Sequence, residues 1–185
     1  MLIQIPHFFR SIILYQERKS LVDKTAIMFV CYGNICRSPM AEFCLKSLLE
    51  KNGISDFVTV SSSAVSDEEI VGGIGNPVYP PAKAELTRRG VRFDERRAVR
   101  LKKEDYGKYD LFIGMDEGNV RGMLEIFGKD PQSKIVKLKD FTSGGDVADP
   151  WYTRRFDIAY DEIEAGCRAL TEMLRQKYAK NPQKK

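Results

Sequence analysis

The sequence predicts an α/β protein in three layers, with a central four-stranded parallel twisted sheet flanked by helices. Two observations carry that expectation. Continuous apolar runs of strand length alternate with segments of helical pattern, and strands read as such unbroken runs when helices bury both faces of their sheet. At 185 residues the chain has the size of one domain and can bury a substantial core.

Residues 1–24 read as an N-terminal extension, in which Leu2, Ile5, Phe9, Ile12 and Ile13 fall at roughly helical spacing before the charged run Gln16–Lys19. A helix that meets a partner or a membrane surface, and a loosely packed extension, are both compatible with this pattern. Ala26–Val30 (AIMFV) is the first strand, followed by a loop over Cys31–Arg37 and a helix over Ser38–Lys51 that closes before Asn52-Gly53. Ser38 is expected as its N-cap and Pro39 as its first helical residue. Phe57–Ser61 is the second strand. Gly72–Pro81 (GGIGNPVYPP) is a loop by its glycines and prolines, and Ala82–Arg89 a helix ending at Gly90. Asp110–Met115 (DLFIGM) forms the third strand, with a helix after Asp116, and Ile135–Leu138 forms the fourth. Asp157–Lys177 is a long helix with Ile158, Ile163, Cys167, Leu170 and Leu174 on one face. The expected organisation is an extension over 1–24, a domain over 25–176 and a flexible basic tail over 177–185.

Composition removes several classes of function. Lys plus Arg number 30 against 26 Asp plus Glu, a net charge of +4 that is too weak to argue for nucleic acid binding. The apolar stretch Phe8–Leu14 contains Arg10 and falls short of the roughly 20 residues a membrane span requires. Four irregularly placed cysteines and a start without secretory-signal features point to reduced thiols and a cytoplasmic location. His7 is the only histidine and lies in the extension, which argues against a Ser/His or Cys/His couple in the core. Histidine-built zinc sites are excluded too, and the cysteines form no pair of CxxC motifs. Gly73-x-Gly75 follows no apolar strand and lacks the third glycine of a dinucleotide fingerprint. No metal and no cofactor are expected.

In open α/β sheets the ligand crevice lies at the carboxyl ends of the strands, and the loop after the first strand carries the strongest chemical signal. It reads Cys31-Tyr32-Gly33-Asn34-Ile35-Cys36-Arg37-Ser38-Pro39 and leads into a helix. Gly33 and Asn34 tolerate left-handed backbone angles, so the chain can curl and turn consecutive N–H groups inward as an anion-binding nest. The helix N-terminus adds its unsatisfied donors, and Arg37 adds a planar fork for two oxygens of a phosphate. The same field is expected to hold Cys31 as a thiolate, a nucleophile activated without histidine.

These residues closely resemble the phosphate loop of the low-molecular-weight protein tyrosine phosphatases. The likeness continues through Gly75-Asn76-Pro77, Lys103-Glu104-Asp105, Met115-Asp116-Glu117-x-Asn119 and Asp149-Pro150-Trp151-Tyr152, and spans about 26–174. It implies a flavodoxin-like fold of the phosphotyrosine phosphatase type and the hydrolysis of phosphotyrosine or small aryl phosphates through a phosphocysteine. By that resemblance Cys31 is the nucleophile and Arg37 binds the phosphate and the transition state. The loop residues Tyr32, Gly33, Asn34, Ile35, Cys36 and Ser38 complete the phosphate site, with the Ser38 hydroxyl stabilising the thiolate. Asn34 holds the strained turn, helped by a hydroxyl from Ser61, Ser62 or Ser63, with Ser62 the chosen one. Asp116 braces the loop. Asp149 is the general acid, although an aspartate before proline in a glycine-containing connection also serves simply as a turn residue. Trp151 and Tyr152, with Tyr32, form the aromatic wall of the substrate slot. Phosphotyrosine proteins or aryl phosphates are the implied partners, with inorganic phosphate, sulfate or vanadate as ligands of the loop.

Three departures stand out. Tyr32 takes a place where an aliphatic residue is frequent, Asp67–Gly73 is longer than usual, and Arg96–Arg100 (RRAVR) stands where the family often has a histidine followed by Ala-Arg-Gln. In the family the pair corresponding to Cys31 and Cys36 can close a disulfide that shields the nucleophile; a cysteine that simply fills the underside of the loop explains Cys36 equally well. An arsenate reductase on this fold would need a relay of further thiols, and none lies between Cys44 and Cys167. A catalytically silent phosphotyrosine-binding module would not require Cys31, Arg37 and Asp149 together.

Overall fold

The computed structural model describes residues 24–179, so the expected helical extension over 1–24 and the end of the tail lie outside the described residues. Strand β1 (Thr25–Cys31) is the hub of the sheet, buried along nearly its whole length. Helix α1 (Arg37–Lys51) follows, then β2 (Val58–Ala64), a short hairpin of β3 (Ile70–Val71) and β4 (Ile74–Gly75), and α2 (Pro80–Arg88). The chain continues through β5 (Leu111–Gly114), α3 (Glu117–Phe127), β6 (Ile135–Lys137), the short α4 (Pro150–Thr153) and the long α5 (Phe156–Ala179). The main sheet has the order β2-β1-β5-β6, and all its pairings are parallel.

Alternation along β1 divides the core between the two faces of the sheet. Ile27 and Phe29 pack with Met40, Leu45, Leu48, Ile163, Cys167 and Leu170, which is the face covered by α1 and α5. Met28 and Val30 point the other way, to Phe112, Met123, Phe127 and Ile135 beneath α3. Register puts Cys31 opposite Ala64, Val30 opposite Gly114, and Gly114 opposite Lys137. The carboxyl ends of the strands therefore share one edge. β1 has β2 on one side and β5 on the other, so strand order reverses there and a crevice opens at the end of β1. Among the described residues no helix is long and apolar enough to cross a membrane.

The elements differ from expectation in instructive places. The second strand runs over Val58–Ala64 rather than Phe57–Ser61, because its serines pair with β1 and small side chains such as Ser62 and Ser63 bury without strain. Gly72–Pro81 is not all loop. Gly72 and Gly73 both have positive φ, 58° and 79°, the signature of a type I′ hairpin turn, and they join β3 to β4. α2 begins at Pro80 rather than Ala82, since proline's fixed φ suits the first helical position. The third and fourth strands are a residue or two shorter than expected, and the last helix slightly longer.

Candidate active site

The seven residues that close β1 and open α1 fold into a tight cup. The carbonyls of Cys31, Tyr32 and Ile35 accept from the N–H groups of Val65, Ser66 and Tyr79 at 2.9–3.0 Å. Among the described residues no peptide bond is cis, and a trans peptide points its C=O and its N–H in opposite directions. The N–H groups of Tyr32, Gly33 and Cys36 thus face away from those partners, toward the space the loop encloses. Asn34 is in the left-handed region with φ 59°, which its short polar side chain tolerates, and its N–H donates to Cys31 Sγ at 3.3 Å. Gly33 is required for a different reason than the one expected. Its φ is not left-handed; a Cβ there would lie 2.7 Å from Cγ of Glu69.

Ser38 is not the helix N-cap. α1 starts at Arg37 with Cys36 in the capping position, and the Ser38 hydroxyl instead donates to Cys31 Sγ at 3.0 Å. Asn34 Nδ2 donates to Ser38 Oγ and to Ser62 Oγ, both at 2.9 Å, so Ser62 is the serine of the three that meets the loop. Ser63 Oγ is buried without a partner. Behind Ser62 lies Glu42, a buried residue of α1 whose Oε2 accepts from Ser62 Oγ at 2.7 Å. Arg96 closes this network, donating to Asn34 Oδ1 at 2.7 Å, to the Ser62 carbonyl at 3.1 Å, and to Ser62 Oγ and Glu42 Oε2. Sequence reasoning missed both Glu42 and Arg96, because neither lies in the loop.

Arg37 is 3% exposed and spans the crevice. Its Nη1 donates to Asp116 Oδ2 and its Nη2 to Asp149 Oδ2, each at 2.6 Å. Asp116 caps α3 with its other oxygen, accepting from the N–H of Asn119 at 2.7 Å; Asp149 caps α4 likewise through the N–H of Trp151 at 2.9 Å. Burial opposes the charge on Arg37, but Cys31, Asp149 and Asp116 outweigh it and hold the guanidinium above its ordinary pKa. Burial first, then Cys31 and Asp149, pushes the Cys36 thiol far above its usual range. Cys36 is thereby kept a neutral thiol beside its neighbour.

The rim is aromatic. Trp151 is about half exposed and packs its ring 5.4 Å from that of Tyr79, with the Arg154 guanidinium 5.5 Å from its centroid. Tyr152 is far more exposed, at 83%. Tyr32 stands at the loop itself, its hydroxyl donating to Glu68 Oε1 at 2.7 Å. Tyr79 was not anticipated as a rim residue. The clue lay in the tyrosine before Pro80, which the loop reading absorbed.

The chain matches the family described as low molecular weight phosphotyrosine protein phosphatase over residues 26–180. It belongs to that family. A low molecular weight protein-tyrosine-phosphatase of Bacillus subtilis, YfkJ, is 34% identical over 150 residues, covering 78% of this chain and 92% of the relative. Its crystal structure has a TM-score of 0.77, at 31% identity, covering 86% of this chain and 98% of that one. The low molecular weight phosphotyrosine protein phosphatase of the pig is 31% identical over 166 residues, covering 81% and 96%. An arginine phosphatase, YwlE, also shares the fold, with a TM-score of 0.68 and 29% identity over 86% of this chain and 98% of its own.

Against this family background two of the departures in sequence turn out to touch each other. The extended segment folds as the β3–β4 hairpin, and it delivers Glu68 to the hydroxyl of Tyr32. The third departure places Arg96, rather than a histidine, behind the loop. Cys44 and Cys167 are buried, at 2% and 0% exposure, which gives no thiol relay of the arsenate reductase kind a route to Cys31.

Proposed function

We propose that the protein hydrolyses phosphotyrosine and small aryl phosphates by two successive displacements at phosphorus. The observation that carries this reading is the buried Arg37 fork, held between Asp116 and Asp149, in the same cup as the buried Cys31, whose sulfur accepts from Asn34 and Ser38. Cys31 Sγ attacks the phosphoryl group and the bond from phosphorus to the aryl oxygen breaks, with Asp149 giving its proton to the departing phenolate. Water then loses a proton to Asp149 and attacks phosphorus, the S–P bond breaks, and phosphate leaves.

Charge on the three equatorial oxygens is met by the inward N–H groups and by Arg37. Phosphoryl oxygens compete with Asp149 for Nη2, so substrate arrival frees that carboxyl to turn toward the leaving group. Tyr32, Trp151 and Tyr152 form walls for a flat ring, which favours aryl esters over alkyl ones. Phosphotyrosine-containing proteins are the proposed partners, with inorganic phosphate, sulfate or vanadate as competing ligands. The domain over 25–176 would carry the activity. Four buried free cysteines fit a reducing compartment such as the cytoplasm.

The test is hydrolysis of p-nitrophenyl phosphate and of a phosphotyrosyl peptide, inhibited by vanadate and indifferent to chelator, with a phosphoarginyl peptide as the competing substrate. Turnover by Cys31→Ser, or preference for phosphoarginine, would overturn the reading.

A further inference from the structure

We infer that Arg154 is a specificity-determining residue that receives an acidic side chain next to the phosphotyrosine of a substrate peptide. This assignment rests on the phosphatase reading of the cup and adds to it the class of peptide that the rim selects. Among the described residues, three other than glycine have positive φ: Asn34, Ser133 and Arg154. Asn34 uses that conformation to turn the loop. Ser133 lies just before β6 (Ile135–Lys137), at the edge of the sheet away from the crevice. Arg154 closes α4, the single turn of helix capped by Asp149, with φ 59° and ψ 10°. Glycine takes this conformation freely, whereas an L side chain is disfavoured in it. Glycine would therefore make the turn better. What arginine adds at this position is its side chain.

That side chain has a seat but no counter-charge. Its guanidinium lies 5.5 Å from the centroid of the Trp151 ring, a cation–π distance, and among the described residues no carboxylate pairs with it. Its neighbour is the contrast: Arg155 gives Nε and Nη2 to the two oxygens of Asp157 at 2.9 and 2.7 Å. Carboxylates around the crevice are engaged as well. Asp116 and Asp149 each hold Arg37 at 2.6 Å, and Glu68 accepts from the Tyr32 hydroxyl. Glu69 accepts from Asn76 Nδ2 at 2.7 Å, and Asp67 pairs with Arg100 at 3.1 Å. Arg154 is exposed, so its N–H fork is open to solvent while the ring steadies the group, and less freedom is lost when an acceptor arrives. Trp151 is also a wall of the proposed slot. A phosphotyrosine ring lying against it brings the adjoining peptide residue toward the fork, and the planar acceptor that matches a fork is the carboxylate of Asp or Glu.

The test uses three phosphotyrosyl peptides that differ only in carrying glutamate, glutamine or lysine on both sides of the phosphotyrosine. The native chain should process the glutamate peptide with kcat/KM about fivefold above the glutamine peptide at low salt, the upper range for an exposed ion pair. The difference should lie in KM rather than kcat, as for binding shared by ground and transition states, and should shrink as ionic strength rises. In Arg154→Gly, which keeps the turn, and in Arg154→Gln, which keeps a stem beside Trp151, the ratio should fall to about one. Arg154→Glu should reverse the order and favour the lysine peptide. Each ratio is taken within one variant, so a change common to all substrates cancels. A ratio near one in the native chain, or an undiminished ratio in either Arg154→Gly or Arg154→Gln, overturns the inference. So does a native preference for the lysine peptide, which would give the rim to Glu68 and Glu69 instead. Should the native chain hydrolyse neither these peptides nor p-nitrophenyl phosphate, the phosphatase reading falls. The fluorescence of Trp151, the only tryptophan, then measures binding of the same peptides without turnover. Tighter binding of the glutamate peptide that Arg154→Gly abolishes upholds the role of Arg154, and equal binding of the glutamate and glutamine peptides overturns it.

Discussion

Asp149 serves two neighbours with its two oxygens, one capping α4 through the N–H of Trp151 and the other bonded to Arg37. The cap holds the carboxyl at the crevice, and the ion pair is what a phosphoryl group would displace. If Asp149 is the proton donor, Asp149→Ala should slow esters of poorly acidic phenols by about 100-fold or more, within the range for general acid catalysis. Esters of acidic phenols should slow much less. A plot of log kcat/KM against leaving-group pKa, steeper in the variant, is the measurement; parallel lines would reduce Asp149 to a cap. Cys31→Ser should abolish turnover yet still bind phosphate, since the cup of N–H groups and Arg37 remains. Cys36 is buried beside Cys31 and kept neutral, so Cys36→Ser should retain turnover within about twofold. If peroxide oxidises Cys31 to a sulfenic acid, the Cys36 thiol should condense with it, releasing water. Loss of thiol-reversible recovery in Cys36→Ser, read by activity after peroxide and then dithiothreitol, checks that role.

At the scale of elements, the β3–β4 hairpin and the stretch from Arg96 to Leu101 shape the site from outside the loop. Gly75 ends β4 where a Cβ would lie 1.9 Å from the carbonyl oxygen of Ala98. Gly75→Ala must push that stretch away from Asn76, so it should destabilise by about 1–3 kcal/mol in a urea titration and lower activity through displaced Arg96. Gly107→Ala, with open space at its Cβ, is the control and should be near neutral. Tyr32→Leu removes the ring that Glu68 holds, and should raise KM for naphthyl phosphate more than for an alkyl phosphate. These elements were the least legible in the sequence. The strands announce themselves as unbroken apolar runs, because both faces of the sheet are covered, and the long helices because their burial repeats every third and fourth residue. The loop was legible because glycine, asparagine, arginine and cysteine together admit few alternatives. A two-residue strand has no period to read, and Arg96 in RRAVR looks like any surface arginine until Pro77–Arg97 and Ala64–Arg100 pairing lays it against β2. Ser38 misled for a related reason: its residue type suits an N-cap, whose oxygen accepts from the free N–H groups of a helix, but here that oxygen accepts from Asn34 and its proton goes to Cys31 Sγ.

For the whole molecule, the loop is tied to nearly every layer. Cys31 ends the central strand, Ser62 belongs to β2, Asp116 links β5 to α3, and Asp149 leads through α4 into α5. Arg37 joins the last two to the first turn of α1. Unfolding any of these elements dismantles the cup, so a ligand of the cup should bind only the folded chain and stabilise all of it by RT ln(1 + [L]/Kd). At a concentration of about 100 times Kd that is about 2.7 kcal/mol. With about 2–4 °C of melting temperature per kcal/mol for a chain of this size, inorganic phosphate or vanadate near saturation should raise Tm by roughly 5–10 °C. The rise should grow with the logarithm of ligand concentration. Phosphate should give it in Cys31→Ser as well, because that variant keeps the donors. Arg37→Met should lose it, and should itself melt lower, since Asp116 and Asp149 are left facing each other across the crevice without the cation between them. A phosphate-dependent Tm rise of native size in Arg37→Met would mean that the anion stabilises the chain from somewhere other than this cup.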